Sequence, residues 1–185
     1  MNSPRQRTAV ARSDLPTVLL HWGMVLTLVF SITTGWRIAS LGESSALLRW
    51  VDVLMLQGQV HRWHLFSATA LTACVVGYLV LLWRMDLFGR LSLRLASLRS
   101  SDRATRWQAI NKLVYWMAFV LLAAAAVTGG LMYFAPGVLP TASLAAVHQA
   151  LSWAFVVYVA LHVLSQVMLG GLRQLLKILS PRLAY

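Results

Sequence analysis

Four stretches of this chain are too apolar to lie in water: Leu15–Trp36, Trp63–Trp83, Leu113–Phe134 and Ala145–Gly170. None contains a Lys, Arg, Asp or Glu. Crossing the hydrocarbon of a bilayer takes about 20 apolar residues of helix, and each stretch has that length. The first is too long for a cleaved signal peptide and lacks an A-x-A-like exit. The whole chain is 59% hydrophobic and 11% charged, where a soluble domain carries roughly a quarter charged residues. The expected fold is all-α and integral to the membrane: one domain over residues 1–185, with four transmembrane helices in an antiparallel bundle. Cys74 is the sole cysteine and lies in the second stretch. An intrachain disulfide, a cysteine zinc site and an iron–sulfur cluster are therefore excluded.

The net charge of +11 first suggests nucleic acid, but its placement argues otherwise. Arg5, Arg7 and Arg12 precede the first span, and Arg173, Lys177 and Arg182 follow the fourth. Arg84, Arg90, Arg94, Arg99, Arg103, Arg106 and Lys112 lie between the second and third. That puts 13 of 16 basic residues on one side. The positive-inside rule makes it the cytoplasmic side, with both termini inside. Topology and attraction to anionic lipid account for the basic loop without nucleic acid.

The connection from Arg37 to Arg62 is then outside. Its segment "ALLRWVDVLMLQGQV" is amphipathic enough to lie along the interface as a short helix. The turn "APGVLPTAS" between the last two spans is short and uncharged. Trp22, Trp36, Trp63, Trp83, Trp116 and Tyr133 sit near span ends, as interfacial anchors do. Gly129 and Gly130, in "LLAAAAVTGG", let the third helix approach its neighbours. No internal repeat is visible.

The chain has five histidines: His21, His61, His64, His148 and His162. An imidazole in hydrocarbon costs free energy unless its nitrogens are satisfied. His148 and His162 are fourteen residues apart in the fourth span. That spacing puts them on one helix face, roughly 40° apart in angle and about 21 Å apart along the axis. Depth sorts the set into two layers. The outer layer holds His148 with His64 or His61; the inner layer holds His162 with His21. His61 sits at the membrane edge beside Arg62, and His64 lies deeper in the span. Two imidazoles facing each other across a bundle suit a six-coordinate haem iron. A metal without haem would want three or four protein ligands, and a proton relay would usually include an acid. The spans supply neither.

These segments resemble the di-haem cytochrome b family that includes formate dehydrogenase gamma subunits, Ni,Fe-hydrogenase cytochrome b subunits and bacterial cytochrome b561. The matching pieces are "LLHWGMVLTLVFSITTGW", "WHLFSATALTACVVGYLVLLW", "INKLVYWMAFVLLAAAAVTGGLMYFAP" and "LAAVHQALSWAFVVYVALHVLSQVMLGG". The resemblance implies two haem b groups. His21 and His162 would hold the cytoplasmic-side haem, and His64 and His148 the periplasmic-side one. It also implies a quinone near the cytoplasmic haem, which points to Gln108, Asn111 and Lys112. Polar residues at a helix entrance would look the same. Arg37 and Arg62 at the outer edge are candidates for haem propionates, although snorkelling anchors have the same sequence.

The resulting expectation is a quinone-linked electron-transfer protein of the bacterial inner membrane. It would carry electrons between the quinone pool of a respiratory chain and a periplasmic redox protein or dehydrogenase or reductase subunit. A stand-alone superoxide:quinone oxidoreductase is the alternative within the family. A haem-free membrane anchor and a transporter are the alternatives outside it. No inverted repeat, broken helix or buried acid supports the transporter.

Overall fold

The computed structural model describes residues 15–42, 58–176 and 178. Four helices make up almost all of it: α1 Leu15–Gly42, α2 Val60–Arg84, α3 Arg103–Phe134 and α4 Thr141–Leu176. All four are long and apolar enough to cross a membrane, and there is no strand among the described residues. Each helix runs beyond its apolar stretch. The stretches mark where lipid begins, while the backbone hydrogen-bond ladder continues into polar sequence until a cap or glycine stops it.

Those stops have local causes. Asp102 caps α3 by accepting from the N–H groups of Ala104 at 3.3 Å and Thr105 at 3.0 Å. Near the end of α4 the helical dihedrals fail at Gly170 and Gly171, where Gly171 has φ +62° and ψ −158°. A side chain would be strained in that conformation. The interface segment at 46–60 lies almost wholly outside the described residues, as do the flanking cations Arg5, Arg7, Arg12, Arg49, Lys177 and Arg182.

The connection from α2 to α3 folds as two short 3-10 turns, Phe88–Arg90 and Leu95–Arg99. It inserts Leu91, which is buried, and its carbonyl accepts from Trp116 Nε1 at 3.0 Å. This connection defines the loop face of the bundle. The far face carries the end of α1, the start of α2 and the α3–α4 turn.

The helices pack as two antiparallel hairpins, α1 with α2 and α3 with α4, and only a thin contact joins α1 to α4. The polarity is inverted relative to a soluble bundle. Leu26, Phe66, Val120 and Leu172 face outward. Ser31, Thr34, Ser67, Ser165 and Gln166 are buried. Lipid gives helices no hydrophobic reason to associate, so close packing and interhelical hydrogen bonds do that work, at about 0.6 kcal/mol per bond. Ser31 Oγ donates to Ser67 Oγ at 2.8 Å and ties α1 to α2. Of the expected anchors, Trp22, Trp63, Trp83, Trp116 and Tyr133 are exposed. Trp36 is not an anchor. It stacks on Trp153 at 4.4 Å and donates to Ser152 Oγ at 3.0 Å, joining α1 to α4.

Candidate functional site

Four of the five histidines meet in pairs. His64 of α2 faces His148 of α4, with ring centres 6.0 Å apart and planes at 86°. His21 of α1 faces His162 of α4, with ring centres 6.3 Å apart and planes at 37°. All four are partly buried. His61 is exposed in the first turn of α2. The helix begins early enough to include it, but its phase turns it away from the bundle, so His64 is the residue opposite His148. Each layer therefore takes one imidazole from each hairpin, and α3 supplies none.

The far-face pair has a fitted seat. His64 Nδ1 lies 3.0 Å from the Ser31 carbonyl and 3.1 Å from Thr34 Oγ1. His148 Nδ1 lies 2.9 Å from Thr128 Oγ1. The hydroxyl protons have other acceptors: Thr34 donates to the Phe30 carbonyl at 2.7 Å and Thr128 to the Ala124 carbonyl at 2.8 Å. A carbonyl can only accept, and a threonine has one proton to give. His64, facing the Ser31 carbonyl, donates from Nδ1; His148 does so when the Thr128 proton is on the Ala124 carbonyl, and each Nε2 lone pair is then free for a metal. The residue after each threonine is glycine. A Cβ at Gly35 would lie 3.2 Å from His64 Cε1, and one at Gly129 would lie 3.1 Å from His148 Cε1. The same Thr-Gly step, in "TTGW" of α1 and "VTGG" of α3, seats a histidine of the neighbouring helix. Sequence reading missed this local repetition. Its signal was there, one Thr-Gly in each odd-numbered span, but the lateral partner was not. Gly130, also expected to allow close approach, has nothing within 4 Å of its Cβ position.

The loop-face pair is set differently. The Tyr158 ring stacks on His162 at 5.8 Å, and Tyr115 lies 5.7 Å away. His162 Nδ1 is buried without a hydrogen-bond partner. Beside it, Asn111 Oδ1 accepts from Ser165 Oγ at 2.9 Å and Gln166 Nε2 at 2.7 Å. Gln166 Nε2 also reaches Tyr115 OH at 3.2 Å.

The candidates Gln108, Asn111 and Lys112 are not gathered in one place. Asn111 points inward and locks α3 to α4. Gln108 and Lys112 line a polar cavity of about 290 Å³ with Ser92, Arg94, Ser97 and Thr105. Lys112 Nζ donates to the Ser92 carbonyl at 2.8 Å. An apolar cavity of about 340 Å³, lined by Leu79, Phe88, Leu91, Trp116 and Phe119, adjoins it through Ser92. At the far face, Arg37 is half-buried and reaches Ser40 Oγ at 3.2 Å. Arg62 is exposed and donates to Gln59 Oε1 at 2.8 Å.

Do these residues fit a haem? No group of three or more His, Cys, Asp or Glu is assembled among the described residues. Each site offers two protein nitrogens, which suits an iron whose other four ligands come from a porphyrin. An iron held between the rings of a pair would take one nitrogen from each, and a ring-centre separation of about 6 Å leaves room for it. Both pairs have that spacing, and the far-face tautomers present the right nitrogen. The residues fit. A family model described as prokaryotic cytochrome b561 matches residues 12–181. Comparison with the curated proteins and with the solved structures returned no match.

Proposed function

Because the chain belongs to the prokaryotic cytochrome b561 family, and so is a transmembrane b-type cytochrome of electron transfer, we propose that it carries two haem b groups and links a far-face donor to a quinone at the loop face. Haem b, when bound, supplies the reversible one-electron chemistry of its iron. His64 and His148 hold the far-face group, and His21 and His162 the loop-face group. The observation that carries this reading is the pair of facing imidazoles at each depth, with ring centres 6.0 and 6.3 Å apart. Arg37 is better placed for a propionate than the outward-turned Arg62.

The basic connection between α2 and α3 belongs on the cytoplasmic side of a bacterial inner membrane, with both termini there. The adjoining cavities at that face match a quinone in kind. Gln108 and Lys112 offer hydrogen bonds to a carbonyl head, and the Leu79, Phe88, Trp116 and Phe119 walls suit a prenyl tail. Asn111 is left out, because its carbonyl oxygen already has two donors. Reducing quinone to quinol takes two electrons from the donor and two protons from the loop side. The donor is a periplasmic redox protein or the subunit of a dehydrogenase or reductase.

The test is a reduced-minus-oxidised visible spectrum of the purified protein, with the haem-to-protein ratio from the pyridine haemochrome. Two haem b per chain is the expected result. Protein made with ample haem that stays colourless overturns the reading.

A further inference from the structure

The two histidine layers differ in what stands behind the imidazoles. At the far face, each Nδ1–H is held by a threonine whose own proton goes to the carbonyl one turn back. His64 has the Ser31 carbonyl as a second acceptor. At the loop face, His162 Nδ1 is buried with no acceptor, and two tyrosine rings flank the imidazole. An acceptor on the distal N–H of a ligating histidine fixes its orientation and raises its basicity. A more basic ligand stabilises ferric over ferrous iron, so hydrogen bonding around the ligands is one of the protein's means of setting potential.

We infer that Thr34 and Thr128 are positioning residues that make His64 and His148 the more electron-rich ligand pair, so that the far-face haem has the lower midpoint potential. This rests on the two-haem reading above. The ordering makes electron movement from the far face to the loop face downhill inside the protein itself, whatever partner is docked. The two threonines act through the histidines and touch no iron. Their symmetry across the two hairpins, each followed by the glycine that gives the ring room, marks the seat as a repeated device of the fold.

The structure also supplies a way to tell the haems apart without mutation. Nearly perpendicular imidazole planes leave the iron dπ orbitals close in energy and give a highly anisotropic low-spin ferric signal. Planes nearer to parallel give a more ordinary rhombic one. The far-face planes are at 86° and the loop-face planes at 37°.

The experiment is a potentiometric titration of the whole protein, followed by visible absorption and electron paramagnetic resonance. The more anisotropic signal should disappear at the lower potential. Thr128→Val should raise the lower potential and leave the higher one in place, and Thr34→Val, which leaves His64 the nearer Ser31 carbonyl, should raise it less. Thr34→Ser and Thr128→Ser, which keep the hydroxyl, should restore the original value. The inference is overturned if the anisotropic signal titrates at the higher potential, or if two-haem valine variants keep both potentials unchanged. Wild-type protein lacking haem overturns the underlying reading instead, so the two failures are distinguishable.

Discussion

The two hairpins of the bundle are built to the same plan and locked at opposite ends. In α1/α2 the lock is a hydroxyl pair: Ser31 donates to Ser67, and Ser67 donates to the His64 carbonyl at 2.9 Å. In α3/α4 it is an amide cluster: Ser165 and Gln166 converge on Asn111, and Ser165 lies 2.8 Å from the His162 carbonyl. Each lock thus sits three residues beyond a histidine, in "HLFS" and "HVLS". The first serves the far-face layer and the second the loop-face layer. Each layer thus has a lock of its own on one hairpin, and the two locks should be separable by mutation.

The largest effect should come from the ligands. His64→Ala or His148→Ala should halve the haem-to-protein ratio, whereas His61→Ala should leave it unchanged. The pyridine haemochrome of the three purified variants checks this. Loss of haem from His61→Ala alone would reverse the assignment within α2.

Next is the seat. Gly129→Val places bulk where a Cβ is already 3.1 Å from His148 Cε1. Overpacking of this kind costs about 1–3 kcal/mol. Far-face haem should be lost or weakly held, with the loop-face spectrum intact. Gly130→Ala, with open space around it, is the control and should behave as wild type.

The locks come third. Asn111→Ala removes the acceptor shared by Ser165 Oγ and Gln166 Nε2, and so breaks two interhelical bonds at once, each worth about 0.6 kcal/mol. Ser67→Ala breaks a single interhelical bond worth about 0.6 kcal/mol. Thermal melts in detergent should rank Asn111→Ala below Ser67→Ala. The spectral change should be at the loop-face haem in the first variant and at the far-face haem in the second. Equal disturbance of both layers by either variant would break the separation of the hairpins.

The smallest effect concerns the cap of α3. The Thr105 hydroxyl, then the Thr105 and Ala104 N–H groups, hold the Asp102 carboxyl below its ordinary pKa. A depressed carboxylate stabilises the fold above the unfolded pKa, and the contribution fades as pH falls through the lower, folded value. Acidification through that lowered value should therefore fray the first turn of α3. Amide exchange at Ala104 and Thr105 measures it.

The four helices were legible in the sequence because hydropathy reports depth directly. So was the pairing of depths: the fourteen-residue spacing of His148 and His162 dictates two levels on one face. Which of His61 and His64 faces His148 depends on helical phase, which an uncertain start leaves open; in the folded helix it is His64. The Thr-Gly seats were illegible for a different reason. Thr34 and Thr128 bond across helices, and a pattern along one helix does not say which neighbour stands beside it. Trp36 was misread in the same way. It was assigned by its distance from a span end, and it is turned inward by its rotation about the helix axis.

The thin contact between the hairpins has a further consequence. Each layer draws one imidazole from α1/α2 and one from α4, so anything bound between them bridges two halves that otherwise barely touch. By mass action, a ligand that binds only the joined state adds RT ln(1 + [L]/Kd) to the free energy of joining. Cutting the chain between α2 and α3 would yield two hairpin fragments whose association tracks haem supply. Starved of cofactor, they should drift apart in the plane of the membrane.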